Sequence, residues 1–316
     1  MQLRGIKSVL VTGASGFVGR ELIPYLIEKN FAVTSVSRRL LDNKANQILI
    51  PAIAPDTAWA HHVAGIEAVV HLAARVHQMR DKAADPLSLY RQENRDSALN
   101  LARQAKAAGC RLFIFLSTAK VMGEESKRPF TEADIPEPTD PYAIAKFEAE
   151  QELLKLANAD FQVMILRPPL IYGPEVRANF LSLLTLADKN WWLPFGALDN
   201  KRSLLYTGNL LDAIASVLRN PQGGTYFISD GRDLPFSELL RVLRQALGRR
   251  PRLLRFSPKL LKAGLGLIGK KAVAARILGD FQIDSGHFMQ DYKWRPPYSV
   301  EEGLKRTIEW FQAQKR

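Results

Sequence analysis

A tyrosine and a lysine four residues apart, Tyr142 and Lys146, stand in the run Pro141-Tyr142-Ala143-Ile144-Ala145-Lys146. On a helix that spacing puts both side chains on one face, a turn apart. An ammonium held near a phenol favours the phenolate and lowers a pKa that is otherwise about 10. The hydroxyl then becomes able to give or take a proton at neutral pH. The other reading is a solvated helix face, and the spacing alone does not decide between them.

The elements that would position such a pair alternate strand with helix. Ser8-Val9-Leu10-Val11-Thr12 is a short apolar, β-branched run that stops at a glycine, as a buried strand does. Gly13-Ala14-Ser15-Gly16-Phe17-Val18-Gly19 follows and opens a helix carrying Leu22, Ile23, Leu26 and Ile27. Glycines at a strand–helix turn let backbone amides approach a pyrophosphate at the positive end of the helix. Further strands are expected at 31–37, 47–50, 68–73, 112–117 and 162–167, with helices over 86–108 and 142–157. This alternation implies right-handed parallel crossovers and a sheet covered on both faces. Beyond Arg167 the rhythm breaks at Pro168-Pro169, Trp191-Trp192-Leu193-Pro194-Phe195-Gly196 and Pro296-Pro297. Helices are expected at 209–219, 236–247 and 300–314, the last opened by a capping box of Ser299 and Glu302. The fold class is therefore α/β, a Rossmann doubly wound parallel sheet with a smaller C-terminal substrate-binding lobe. Residues 1–167 would form the dinucleotide-binding domain and 168–316 the lobe, some of whose segments could return to the main sheet.

The second strand ends Val36-Ser37-Arg38-Arg39, where an NAD site offers an acid to the adenosine ribose. No acid is present, and Arg38 with Ser37 suits the 2′-phosphate of NADP; NADP is favoured over NAD, and solvated arginines are the alternative. Leu72, Ala73 and Ala74 are small enough for a cofactor to cross the strand ends, with Arg75 as a cofactor-side contact. His71, inside an apolar run, reads as a core histidine.

Composition narrows the partners. The 316 residues are 47% hydrophobic and 24% charged, enough for a full core, and the formal charge is +12. That excess spreads through much of the chain and thickens at Arg249-Arg250-Pro251-Arg252 with Arg255, and at Lys270-Lys271. No aromatics interleave with these residues in the chain, so an anionic small ligand is expected rather than nucleic acid. Cys110 is the single cysteine, and histidines 61, 62, 71, 77 and 287 lack metal-ligand spacing, so no metal is expected. With no leader or spanning segment evident, a cytoplasmic protein is expected. Lys259, Lys262, Lys270, Lys271 and Arg276 alternate with apolar residues; a surface helix is the default reading and a patch on the inner face of the membrane the other.

Thr12-Gly13-Ala14-Ser15-Gly16-Phe17-Val18-Gly19, His71-Leu72-Ala73-Ala74, Ser117-Thr118 and Tyr142-x-x-x-Lys146 together resemble the extended short-chain dehydrogenases/reductases of the nucleotide-sugar epimerase/dehydratase family. Leu166-Arg167-Pro168-Pro169-Leu170-Ile171-Tyr172-Gly173-Pro174 and Ser299-Val300-Glu301-Glu302-Gly303-Leu304 extend the resemblance over the whole chain. It implies Thr118 as a hydrogen-bond donor to the substrate oxygen, Tyr142 as acid/base, and Lys146 as the residue that lowers its pKa and holds the nicotinamide ribose. It further implies Asn94 and Pro169 on the cofactor side, Asn179 and Arg202 at a substrate diphosphate, and Phe195 against uracil; without the resemblance Asn94 reads equally as a helix cap or interior hydrogen bond and Phe195 as a core residue. Ala52 stands where relatives often carry an adenine-binding Asp. The branch it most resembles contains UDP-glucose 4-epimerase-like proteins and the 4-ketoreductases that form UDP-N-acetylquinovosamine for bacterial surface polysaccharide. Lys120, a substrate-side candidate, and Met122 depart from the epimerase pattern. They imply a reductase of a UDP-4-keto-6-deoxy-N-acetylhexosamine, with a UDP-hexose 4-epimerase as alternative and a non-catalytic dinucleotide sensor as a remote one. A homodimer through the 86–108 and 142–157 helices also follows from the resemblance.

Overall fold

The computed structural model describes residues 5–76, 85–267 and 278–315. Seven strands make one parallel sheet in the order β3-β2-β1-β4-β5-β6-β10. They are β1 (Ser8–Thr12), β2 (Ala32–Ser37), β3 (Asn46–Leu49), β4 (Ala68–His71), β5 (Leu112–Leu116), β6 (Gln162–Arg167) and β10 (Gly224–Phe227). The order reverses at β1, between β2 and β4, which opens a crevice at the carboxyl ends of those strands. The last strand belongs to the C-terminal half yet pairs in parallel with β6, Tyr226 opposite Leu166.

Central strands read as unbroken apolar runs because both faces are covered. On one side α1 (Phe17–Glu28) and α6 (Thr207–Arg219) pack Leu22, Leu26, Ile214 and Leu218 against Val9, Val11 and Ile114. On the other, α3 (Ser97–Ala107) and α4 (Pro141–Leu154) bring Leu101, Ala105, Ala149 and Leu153 against Leu10, Phe113 and Phe115.

The expected helix over 86–108 is interrupted. After α2 (Pro86–Tyr90), residues Arg91–Asp96 form a π-helical turn before α3 begins. The Ser97 backbone N–H donates to Gln92 O, five residues back, and Ser97 Oγ donates to the same carbonyl at 2.9 Å. This widened turn drives Asn94 fully into the interior, where Oδ1 accepts from Arg75 N at 2.7 Å and Nδ2 donates to Arg75 O at 3.0 Å.

The C-terminal half has a separate core of Tyr172, Phe180, Leu204, Tyr206, Leu240 and Leu304. It is framed by two short ribbons: β7 (Leu170–Tyr172) beside β9 (Leu204–Tyr206), and β8 (Lys201–Arg202) beside β11 (Leu234–Pro235). Around them lie α5 (Ala178–Asp188), α7 (Phe236–Ala246) and the C-terminal helix Val300–Ala313, whose Ser299–Glu302 capping box is formed. Asp230 ties this core together, accepting from Tyr172 Oη (2.9 Å), Tyr206 N (2.8 Å) and Asn209 Nδ2 (2.7 Å). Burial still pushes its carboxyl up to about 6, against the pull of those donors.

Candidate active site

A cleft of about 1370 Å³ runs along the carboxyl ends of the sheet. That exceeds the ~300–1,000 Å³ of a pocket for one small molecule and suits a dinucleotide plus a second ligand. Each lining segment at the sheet lies at or beyond the end of a strand: Gly13 to Gly19 after β1, Ser37 at the end of β2 with Arg38 after it, Ile50 to Pro55 after β3. Leu72 to Val76 follow β4, Ser117 and Thr118 follow β5, and Pro168 and Pro169 follow β6.

The glycine turn is packed as tightly as its sequence demands. Gly13 has φ +71°, and a Cβ there would stand 2.7 Å from Ala73 N; one on Gly19 would stand 2.3 Å from Gly13 O. The first strand–helix turn is thereby clamped onto the Leu72-Ala73 loop. Helix α1 opens at Gly16 with no side chain capping it and no acid in its first turn. Its positive end and first amides therefore face a cleft lined by Ser15, Phe17 and Val18, the donor set an anionic pyrophosphate fits. At the β2 end, Arg38 is exposed and lines the cleft, while Ser37 is buried and its Oγ donates to Arg39 O. Ala52 lines the same corner without a charge.

Thr118, Tyr142 and Lys146 all line the cleft. Thr118 caps a 3₁₀ turn, Ala119–Met122, its Oγ1 accepting from Lys120 N at 3.2 Å. That leaves the hydroxyl hydrogen available to donate. Asp140 caps α4 by accepting from Ala143 N at 2.8 Å, with Pro141 in the first turn where its missing N–H is harmless. This starts the helix one residue ahead of Tyr142 and sets Lys146 a turn deeper. Lys146 is buried, donates to Leu116 O at 2.8 Å, and lies 4.2 Å from the centre of the Phe115 ring.

The electrostatics differ from the sequence expectation. Desolvation lowers Lys146 from 10.5 to about 7, opposed by the nearby charge of Glu150. Burial, with Asp140 and Tyr90 beside it, pushes the Tyr142 phenol up instead of down. A lysine that is only partly charged at neutral pH exerts little field on its neighbour, and the phenol keeps its proton. His71 stays neutral, lowered to about 3 by burial and by Lys146, with Nδ1 2.9 Å from Thr12 Oγ1.

Several sequence candidates fall elsewhere. Asn94 does not line the cleft; it holds the Arg75 backbone from behind, while Arg75 itself lines the cleft and pairs with Glu93 at 3.3 Å. Lys120 lines the cleft, but its ammonium is committed to Glu124 at 2.9 Å and to Asp140. Met122 is buried beneath the site, its Sδ 3.6 Å from Arg167 Nη1. Phe195 is also displaced. Gly196 N donates to Leu254 O (2.8 Å) and Leu193 N to Arg252 O (2.9 Å), which draws that loop away from the cleft. Phe195 instead packs edge-on behind Phe236, ring centres 5.7 Å apart, and Phe236 takes the lining position with Leu234 and Leu239. Asn179 and Arg202 both line this end, Arg202 donating to Gly279 O at 3.0 Å.

Sequence reasoning missed the floor of the site. Glu150, one turn beyond Lys146, is buried and accepts from Ser117 Oγ and from Arg167 Nη2 at 2.6 Å. Arg167 in turn lies 5.7 Å from the Phe227 ring. The signal was present: Tyr142, Lys146 and Glu150 share one helical face, and Arg167 is a charge at the end of an apolar strand.

Geometry and relatives agree on the class. The model of the NAD dependent epimerase/dehydratase family matches residues 9–229, and the chain belongs to that family of NAD-dependent, oxidoreductase-type enzymes. It is 38% identical over 313 residues to a Vibrio cholerae protein named UDP-glucose 4-epimerase, covering 96% of this chain and 95% of that one. It is 27% identical to an Escherichia coli O157:H7 N-acetyl-alpha-D-glucosaminyl-diphospho-ditrans,octacis-undecaprenol 4-epimerase, again over 96% and 95% of the two chains. Among solved structures, MoeE5 in complex with UDP-glucose and NAD superposes with a TM-score of 0.76 at 23% identity, over 98% of this chain and 100% of that one.

Proposed function

We propose that the protein reduces the C4 ketone of a UDP-4-keto-6-deoxy-N-acetylhexosamine, preferring NADPH, to give a UDP-N-acetylquinovosamine-type product. The observation that carries this reading is the β2 corner of the cleft, where Arg38 stands exposed and neither residue 37–39 nor Ala52 offers a carboxylate. An arginine suits a 2′-phosphate, and NADPH is the cofactor of net reduction, whereas an epimerase recycles NAD in place.

The residues then divide as follows. The amides at the start of α1 receive the pyrophosphate, and Arg38 the ribose phosphate. Reduced nicotinamide, when bound, supplies the hydride that reaches sugar C4. Tyr142 hands its phenolic proton to O4, a direction favoured by a phenol that burial keeps protonated. Thr118 donates to the same oxygen as negative charge grows there. Lys146, anchored to the end of β5, holds the nicotinamide ribose. Asn179 and Arg202 meet the diphosphate, and Phe236, not Phe195, lies beside the uracil. Residues 1–167 with β10 would serve as the cofactor domain and most of 168–316 as the substrate lobe, in a homodimer joined through α3 and α4.

A 4-epimerase acting on UDP-hexose is the second reading, favoured by the 38% identical Vibrio cholerae relative. Purified protein incubated with the UDP-4-keto-6-deoxy sugar should oxidise one NADPH per product formed. Interconversion of UDP-glucose and UDP-galactose without net cofactor change, by protein carrying copurified NAD, would replace the first reading with the second.

A further inference from the structure

The positive excess, expected to spread through much of the chain, is instead concentrated in one segment. Residues 239–279 hold eleven of the 44 arginines and lysines and none of the 32 acids, and so account for eleven of the twelve net charges. The segment includes Arg249, Arg250, Arg255, Lys259 and Lys262, all exposed, the last two on α8 (Pro258–Leu267). Lys270, Lys271 and Arg276 lie outside the described residues.

The fold adds aromatics from a distant segment to this charge. Backbone hydrogen bonds join Leu193 to Arg252 and to Leu254. Arg252 Nη1 donates to Asn190 O at 2.9 Å, and its guanidinium lies 5.8 Å from the Trp192 ring; Lys189 Nζ lies 4.2 Å from the Trp191 ring. Beneath them Arg244, fully buried, donates to the carbonyls of Ala187, Lys189, Trp191 and Arg252. Trp191, Trp192, Leu254, Phe256, Leu260 and Leu267 are between 43% and 89% exposed. Two tryptophans each beside a cation, and four other exposed apolar side chains interspersed along 254–267 with Arg255, Lys259 and Lys262, need an apolar cover with an anionic border.

We propose that this face docks the protein on an anionic lipid bilayer. Tryptophan and phenylalanine rings suit the headgroup boundary, leucines reach the acyl region, and the arginines and lysines meet anionic headgroups. A second copy of the chain would set like charge against like charge across a two-fold contact. A small anion would be held in a concavity, and none of these apolar residues lines the cleft. The face adjoins the substrate end all the same: α5 lines the cleft with Asn179, Ser182, Leu183 and Leu186 and ends at Asp188, just before the tryptophans. The proposal stands independently of which sugar is reduced.

The test is cosedimentation of the full chain with phosphatidylcholine vesicles and with phosphatidylcholine/phosphatidylglycerol vesicles at low salt, read alongside tryptophan emission. Binding to the anionic vesicles only, with a blue shift, is expected. Trp191→Ser/Trp192→Ser should abolish the shift, and Lys259→Glu/Lys262→Glu should weaken binding by roughly tenfold or more. Unchanged NADPH affinity and melting temperature would certify each variant as folded, and either pair suffices if the other fails to fold. Failure to bind anionic vesicles at low salt, or binding indifferent to a folded variant, would overturn the proposal. So would tighter binding to a single-stranded oligonucleotide, or a concentration-dependent dimer that the tryptophan substitutions dissolve.

Discussion

At the dinucleotide end of the cleft most wall segments leave the carboxyl end of a strand, and parallel pairing in one sheet fixes where they start. At the other end the walls come from two-residue and three-residue strands, loops and the helices α5 and α7, held by side chains reaching across the chain: Arg244 on four carbonyls, Asp230 on three donors. The first construction fixes position through backbone bonds that no single side chain controls. The second concentrates it in a few polar residues, so the two ends should respond differently to substitution.

The largest effect is chemical. Tyr142→Phe removes the proposed proton donor and leaves its helix intact, so kcat should fall by about 10²–10⁴-fold with cofactor affinity preserved. A variant that kept wild-type turnover would remove Tyr142 from the reaction. Next, Arg244→Leu leaves buried carbonyls unpaired and should destabilise by about 3 kcal/mol. Limited proteolysis should then cut the 189–196 and 249–256 segments first, while the parallel sheet stays protected; cleavage spread evenly over both halves would break the contrast drawn above.

Lys146→Met probes the opposite sign at the cofactor end. The folded pKa of about 7 lies below the unfolded 10.5, so between those values the unfolded chain binds more protons and wild-type stability rises with pH. The buried ammonium is most costly below pH 7. The methionine variant should therefore be inactive yet more stable by about 1–3 kcal/mol in mildly acidic buffer, the gap narrowing toward pH 9. Chemical denaturation at both pH values measures it. The smallest effect is on selection: Arg38→Asp should shift the NADPH/NADH affinity ratio toward NADH by roughly tenfold to a hundredfold, about 1.5–3 kcal/mol. Titration of each cofactor by fluorescence reads it directly.

The same contrast explains what could be read from the chain. The strands, the glycine turn and the Tyr142–Lys146 pair were legible because each is contiguous and its periodicity is its own; Thr118 came only from the family resemblance. Phe195 stands outside the cleft lining because its loop follows Arg252 and Leu254, some sixty residues away, and no local pattern records that pairing. Lys120 is a substrate-side candidate in the sequence, and the chain does not record that Asp140 and Glu124 pair with it in space. The direction of the Tyr142 shift is not in the chain for a related reason: helical spacing gives proximity, but not the desolvation that raises the phenol and lowers Lys146.

The π turn at Arg91–Asp96 carries one more consequence. Its residues are polar and of ordinary type, and nothing in their identity looks demanding. Their number does. An α-helical turn in place of the π turn would hold one residue fewer, and deleting one would rotate the preceding helix by about 100°. Asn94 would swing off the Arg75 loop, and Gln92 and Glu93 would leave the cleft wall. This stretch should accept changes of spelling far more readily than a change of length.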